Sequence, residues 1–416
     1  MDSEPQQLRA LSVQLGDRRI GVINRLAGDR QLFAFEPEYA EDPKRALLSL
    51  SFKATSGDLV TRPRTYVARV PPFFSNLLPE GHLRTYLASR AGVKPEREFF
   101  LLAALGADLP GAVTVLPLEG DQGAYREVST SQDGEASDSR EQPVLRFSLA
   151  GVQLKFSAIA ETSGGLTIPA NGMGGSWILK LPSARFEAVP ENEFAMLELA
   201  RAVGIEVPEV RLVHPDQVTG LPEGIEQFGG VALAVRRFDR TSDGGRVHLE
   251  DFAQVFGLFP ERKYEKRSYA NIAAILWAEA GPESTYEFVR RLTLAVLTGN
   301  ADMHLKNWSL LYPDGRIPIL SPAYDLVSTV PYLPGGELAL TLGSERNLAQ
   351  ITKEQVRRFS ETAGLPINPV WQTVRETVER TAQTWPNLEE RGRLPQWIDQ
   401  KVSEHLERVV DSTAVS

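Results

Sequence analysis

Thr298-Gly-Asn-Ala-Asp302-Met-His304-Leu-Lys306-Asn307-Trp308, followed further on by Ala323-Tyr324-Asp325, is the stretch on which the reading of this chain turns. Residues 288–297 before it have the apolar spacing of a buried helix. Trp308-Ser-Leu-Leu-Tyr312 and Arg316-Ile-Pro-Ile-Leu320 after it read as paired strands around Pro313-Asp314-Gly315. The polar residues therefore fall in two loops, one between helix and strand and one beyond the hairpin. Asp and Asn in such loops often do no more than hydrogen-bond their own backbone as turn or cap residues.

The combination supports a chemical role. Phosphoryl transfer from a nucleoside triphosphate needs a carboxylate to orient and deprotonate the attacking hydroxyl, and hard oxygen ligands for the magnesium that neutralises the phosphates. Asp302, Asn307 and Asp325 can supply all three. The separation of five from Asp302 to Asn307 equals that of the Asp and Asn in the catalytic loop of protein kinases. Helix, catalytic loop, hairpin and metal Asp follow one another in the order of a kinase C-lobe.

Composition sets the outer limits. A chain of 416 residues and 45.9 kDa has room for two or three domains with their own cores. A formal charge of -9 and a pI near 5.3 argue against stand-alone binding to DNA or RNA, since phosphate affinity comes from clustered Lys and Arg. With no cysteine, disulfides, thiolate nucleophiles and cysteine zinc sites are excluded. His82, His214, His248, His304 and His405 are too scattered to suggest a histidine metal site. The first residues lack a basic start and an apolar core, and no apolar run has the length of a membrane span. The expectation is a soluble, cytoplasmic protein without a membrane partner.

Along the chain, Leu11-Ser-Val-Gln-Leu15, Arg19-Ile-Gly-Val-Ile23 and Gln31-Leu-Phe-Ala-Phe35 alternate between turn residues as in a β-meander, with residues 46–52 expected as a fourth strand. Helices are expected near 82–91 and 96–105, then a strand at 111–117. Residues 1–118 thus read as one small α+β subdomain. Residues 119–142 are rich in Gly, Ser, Asp and Glu and too poor in apolar residues to offset the cost of ordering, so they read as a linker. Residues 143–238 are β-rich, with strands at 144–149, 154–160, 166–168, 177–181 and 231–238 and one helix at 191–203, the make-up of a kinase N-lobe. Residues 239–416 read as a mainly helical C-lobe ending in helices at 353–363, 370–384 and 395–410. The fold class expected is α+β, a two-lobed protein-kinase-like fold with an extra N-terminal subdomain.

For the nucleotide, Ser148-Leu-Ala150-Gly151-Val152-Gln153-Leu-Lys155 reads as strand, tight turn, strand; backbone N–H groups at Gly151 can approach phosphates and Lys155 adds positive charge, although a plain hairpin has the same pattern. Lys180 ends an apolar strand, where it is either an edge residue or a phosphate-binding cation with a partner. Glu193, on the helix that follows, is the preferred partner, in the manner of a kinase Lys–Glu pair; otherwise it is a first-turn carboxylate favoured by the helix dipole. Val235-Arg236-Arg237-Phe238-Asp239-Arg240 would be the hinge, placing Arg236 and Phe238 among the nucleotide-binding positions. His304 either buttresses the catalytic loop or is simply packed.

Taken together these residues resemble the HipA family of serine/threonine kinases, the toxins of HipA/HipB toxin–antitoxin pairs. The matching motifs run in order over nearly the whole chain: Asn76-Leu-Leu-Pro79, Gly111-Ala-Val-Thr-Val-Leu-Pro117, Phe147-Ser-Leu-Ala-Gly-Val-Gln-Leu-Lys155, Ile178-Leu-Lys-Leu-Pro182, Glu191-Asn-Glu-Phe194, the hinge, Glu250-Asp-Phe-Ala-Gln-Val-Phe-Gly-Leu258, Lys263-Tyr-Glu265, Asp302-Met-His-Leu-Lys-Asn307 and Pro322-Ala-Tyr-Asp325. The resemblance implies that Asp302 is the catalytic base, that Asn307 and Asp325 bind magnesium, that Lys180 contacts ATP phosphates, and that Ser148 is an autophosphorylation site. A phosphoserine there would carry about −1.5 to −2 charges beside the nucleotide and switch the enzyme off. The chain departs from the family pattern at Leu154 and Arg236, where glutamates are common, and neither change removes a catalytic group.

The resemblance further implies an ATP- and Mg2+-dependent toxin that arrests growth by phosphorylating a bacterial protein such as an aminoacyl-tRNA synthetase. Its expected partner is a HipB-like DNA-binding antitoxin, through which alone it would meet DNA. A small-molecule phosphotransferase has similar C-lobe motifs and is the alternative enzyme. An inactive scaffold for the antitoxin is the alternative outside catalysis.

Overall fold

The computed structural model describes residues 8–62, 64–118, 155–160, 166–168, 174–183, 185–221 and 230–414. Among these residues the strands form three sheets. The first is antiparallel, in the order β4-β3-β2-β1-β5, from β1 (Ala10–Leu15), β2 (Arg18–Leu26), β3 (Arg30–Phe35), β4 (Tyr66–Val67) and β5 (Val113–Pro117). Alternation decides its inner face: Leu11, Val13, Ile23 and Phe33 point into a core closed by α2 (Pro72–Ser75) and α4 (Glu98–Leu105), while α1 (Pro37–Glu41) and α3 (Gly81–Arg90) lie around it.

Residues 46–52 are not the expected fourth strand. Their backbone is committed elsewhere: Leu47 N donates to Gly315 O at 2.7 Å, Leu48 O accepts from His248 Nε2 at 2.8 Å, and Leu50 N donates to Glu250 at 3.0 Å. A segment whose donors and acceptors are taken by another part of the chain cannot also complete a ladder. It ends in a short 3-10 turn, Leu50–Phe52.

The second sheet has the order β10-β7-β6-β8-β11-β9, from β6 (Lys155–Ala160), β7 (Leu166–Thr167), β8 (Trp177–Lys180), β9 (Val210–Val213), β10 (Val218–Thr219) and β11 (Ala232–Arg236). Helix α5 (Val189–Ala202) follows β8 and stops at Gly204, whose φ of 90° suits a residue without Cβ. Strands β9 and β10 escaped the sequence reading because Val210 to Val213 is too short to show a period.

The remainder is mainly helical. α6 (Phe252–Val255), α7 (Tyr269–Ile275), α8 (Gly281–Leu297), α9 (Lys353–Ala363), α10 (Ile367–Thr384) and α11 (Gln396–Ala414) surround a small sheet of β12 (His248–Asp251), β13 (Ser309–Tyr312) and β14 (Ile319–Leu320). The hairpin registers Leu310 against Leu320 as the sequence suggests, and β12 joins it from outside, Glu250 facing Leu310. Trp308 is the anchor of this region, buried with its ring 4.5 Å from that of Phe288 on α8. Full burial of one such aromatic stabilises by roughly 1.5–3 kcal/mol, which fixes the loop just before it. No described helix is long and apolar enough to cross a membrane.

Candidate active site

On β8 the side chains alternate, so that Trp177 and Leu179 enter the sheet's apolar core and Lys180 faces the other way, 4% exposed. Its ammonium donates to Glu193 Oε1 on α5 and to Asp325 Oδ1. The register of β6 with β8 pairs Lys155 with Lys180, and Lys155 Nζ donates to both oxygens of Asp325, at 3.0 and 2.9 Å. Two ammoniums and two carboxylates thus form a charge-balanced group. Burial alone would depress the Lys180 ammonium, but Asp325 and Glu193 outweigh it and hold its pKa above the usual lysine range. Burial opposes ionisation of Asp325 too, and the two lysines override it, keeping the carboxyl well below the ordinary range.

Asp325 sits at φ +53°, in the left-handed region that costs a residue with Cβ on the order of 1 kcal/mol or more and persists only where neighbours impose it. Tyr324 imposes it. Its hydroxyl donates to Lys306 O at 3.0 Å and accepts from Ser309 Oγ at 2.6 Å. The residue before Asp325 is therefore clasped to the residue before Asn307, which ties the two loops together. The ring of Phe238 packs 5.7 Å from that of Tyr324.

The Asp302 loop is shaped by its own polar residues. Asp302 N donates to Asn300 Oδ1 at 3.0 Å, while Asp302 O accepts from His304 N at 2.8 Å and from Asn307 Nδ2 at 2.8 Å. That last bond fixes which end of the Asn307 amide is the nitrogen and leaves its oxygen without a hydrogen bond among the described residues. Tyr269 OH and Trp308 Nε1 both donate to Met303 O, at 3.1 and 3.3 Å. His304 is buried, its Nδ1 has no partner among the described residues, and burial pushes its pKa down against the pull of Asp302 and Asp325. It therefore lies within electrostatic reach of both carboxylates.

Two further contacts were not anticipated. Tyr264 OH donates to Asp302 Oδ1 at 2.6 Å, and Lys306 Nζ reaches Asn76 O and Oδ1 at 3.0 Å each, Asp251 at 3.1 Å and Glu80 at 3.4 Å. Lys306 thus binds the Asp302 loop to the segment between α2 and α3. Tyr264 lay in a quoted motif, Lys263-Tyr-Glu265, but nothing in a tyrosine within a charged run reveals a contact 38 residues away.

Of the residues singled out from sequence, Lys155, Lys180, Glu193 and Asp325 meet in one cluster; Asp302, His304 and Asn307 form the loop clasped to it by Tyr324, and Phe238 packs on Tyr324. Arg236 is not brought in, its exposed guanidinium lying 3.2 Å from Glu209. Ser148, Ala150, Gly151, Val152, Gln153 and the 119–142 linker lie outside the described residues. No group of three or more His, Cys, Asp and Glu among the described residues could hold a metal by itself. One carboxylate and one amide oxygen, with the rest of the sphere left to phosphates and water, nonetheless suits magnesium.

A β-rich lobe with an ion-paired lysine, set against a helical lobe with an Asp-x-His-x-x-Asn loop and a carboxylate beyond a hairpin, defines a two-lobed, protein-kinase-like protein. Residues 147–385 match the HipA-like C-terminal domain and residues 11–116 the HipA N-terminal domain, and the chain belongs to the HipA family. Y4dM of Sinorhizobium fredii, whose name includes the word kinase, is 51% identical over 392 residues, 94% of each chain. The serine/threonine-protein kinase toxin HipA of Shewanella oneidensis is 27% identical over 397 residues, 86% of this chain and 84% of that one. A solved complex of Shewanella oneidensis HipA with HipB and operator DNA has the same fold, with a TM-score of 0.72 at 24% identity over 98% of this chain and 99% of that one.

Proposed function

We propose that the chain is a cytoplasmic ATP- and magnesium-dependent serine/threonine protein kinase of HipA type. The observation that carries this reading is the meeting of Lys180, Glu193 and Asp325 from three separate elements, beside the Asp302–Asn307 loop. Lys180, held by Glu193, would meet the nucleotide phosphates as a fixed positive charge. Asn307 and Asp325 would hold magnesium, which supplies charge neutralisation on the transferring phosphate when bound. Asp302 accepts the proton as the acceptor's O–H bond breaks and its oxygen bonds to the γ-phosphorus, while ADP leaves with the electrons of the broken P–O bond.

The same reading extends to regulation and partners. Autophosphorylation at Ser148 would set a dianion against the nucleotide and lower activity. The likeness to a HipA solved with HipB and operator DNA supports a HipB-type antitoxin as partner. Growth arrest by phosphorylation of a translation protein such as an aminoacyl-tRNA synthetase is the outcome proposed from membership of the HipA family.

The test is Asp302→Asn. Labelled phosphate transfer from ATP is expected to vanish while the urea unfolding midpoint stays that of the wild type. Transfer at the wild-type rate would refute the assignment. A phosphoproteome comparison of cells making the two forms would then identify the acceptor.

A further inference from the structure

The Tyr264 hydroxyl lies 2.6 Å from Asp302 Oδ1, within the distance at which a general base holds the hydroxyl it deprotonates. Among the described residues it makes the one hydrogen bond to this carboxylate. The backbone around Tyr264 is pinned: Lys263 O accepts from Leu305 N at 3.2 Å, Lys263 Nζ pairs with Glu80 at 3.0 Å, and Tyr264 O accepts from Arg346 Nη2 at 3.3 Å. The side chain is not. It is 40% exposed, stands edge-on to the His304 ring at 5.0 Å, and its hydroxyl has no second polar partner among the described residues.

A residue that serves to orient a catalytic carboxylate is normally itself locked by packing and further hydrogen bonds. Tyr264 has no second hydrogen bond among the described residues, and its ring is held on one side by His304 and the Lys263 ammonium, 5.7 Å from the ring centroid, with the rest open to solvent, so it can swing away by rotation about its own side-chain bonds while the backbone stays in place. Its phenol offers Asp302 the same O–H donor that a serine or threonine acceptor would offer. We propose that Tyr264 is a displaceable cap on Asp302, whose phenol occupies the acceptor hydroxyl's place and competes with it. This rests on the kinase reading above and adds to it a built-in determinant of acceptor affinity. An acceptor must bring enough contact elsewhere to evict the phenol, so isolated serine or a short peptide would be a poor substrate.

The experiment compares full-length wild type and Tyr264→Phe, with dephosphorylated β-casein as the acceptor. Phenylalanine keeps the ring against His304 and removes only the competing donor. The KM for casein is expected to fall about fivefold, the effect of losing one hydrogen bond of ordinary net strength, with kcat no lower and the KM for ATP unchanged. Casein affinity in the presence of a non-hydrolysable ATP analogue, read by fluorescence anisotropy, should tighten by the same factor. A fall in kcat at constant casein KM would make Tyr264 a support for Asp302 and overturn the cap, as would unchanged kinetics or phosphate appearing on Tyr264 itself. Should the wild type show no Asp302-dependent transfer, the kinase reading fails and the cap with it. Asp302-dependent transfer with an unmoved KM removes the cap alone.

Discussion

Lys155 donates to both carboxylate oxygens of Asp325 across 170 residues of chain, at 3.0 and 2.9 Å. With Lys180 on the same carboxylate, the β-rich lobe grips the helical lobe at the group that would bind magnesium. Lys180 is the more deeply buried of the two lysines, and Glu193 beside it is buried as well.

Lys180→Met would leave Glu193 and Asp325 short of a counter-charge. Removal of one member of a buried pair typically costs about 3–5 kcal/mol, and urea denaturation should show a loss of that size. Adding Glu193→Gln, which removes the stranded charge, should restore part of it. Equal stability of the single and double variants would count against the pairing.

Asp325→Asn should lower stability, because it leaves the Lys155 and Lys180 ammoniums short of a counter-charge, yet keep the loop in place, because the clasp on Tyr324 uses the tyrosine hydroxyl and not the carboxylate. In the wild type, Mg-ATP at a hundredfold excess over Kd is expected to stabilise by about 2.7 kcal/mol. Thermal shift assays should show that the magnesium-dependent part of this gain is absent from the variant. A magnesium response equal to that of the wild type would remove Asp325 from the metal site.

His248 and Glu250 on β12 hold the 48–50 segment and give opposite pH dependence. Burial pushes the Glu250 carboxyl from 4.5 up to about 7, against donors from Ser49, Tyr312 and Leu50. The folded chain therefore keeps a proton that the unfolded chain releases, and this contribution falls as pH rises from 4.5 to about 7. Burial lowers His248 from 6.5 to about 4, so its contribution is lost as pH drops through that range. Glu250→Gln removes the first effect only. The stability of the variant relative to wild type should rise across that Glu250 window, by on the order of 3 kcal/mol, and then level off. A difference independent of pH would show that Glu250 ionises normally.

Asp108 is a buried meeting point of three parts of the chain. It accepts from Arg240 at 2.8 Å and from Gly174 N at 2.5 Å, and lies 3.7 Å from both Arg237 and Arg246. Asp239, which pairs with Arg237 and Arg240, also accepts from Gly111 N at 2.8 Å. Asp108→Asn would leave this cluster with one negative charge fewer among its arginines. Hydrogen exchange is expected to quicken at residues 109–112 and 232–240 and to stay unchanged in α9–α11. Uniform protection throughout would show that the cluster does not hold these segments.

The elements that build the site were legible in sequence where they carry strong local signals. The α9 bounds, the 309–320 hairpin and the later part of α8, from residue 288 on, follow from periodicity, and the Asp302-to-Asn307 spacing survives as a loop folded on itself. What was illegible depends on partners distant in the chain. Residues 46–52 alternate like a strand, yet their hydrogen bonds go to Gly315, His248 and Glu250. Tyr264 and Lys306 were visible as letters in motifs, but their roles are set by Asp302 and by Asn76 and Glu80, which no local pattern connects to them. Arg236 fits a hinge by position, and its pairing with Glu209 depends on β9, a strand too short to announce itself.

Lys306 has one more consequence. Its ammonium is shared between the loop that carries Asp302 and the 76–80 stretch between α2 and α3, so that stretch bears on where the loop sits. Loss of the Asn76 or Glu80 contact would therefore slacken the loop that carries Asp302 without altering any residue of the loop itself.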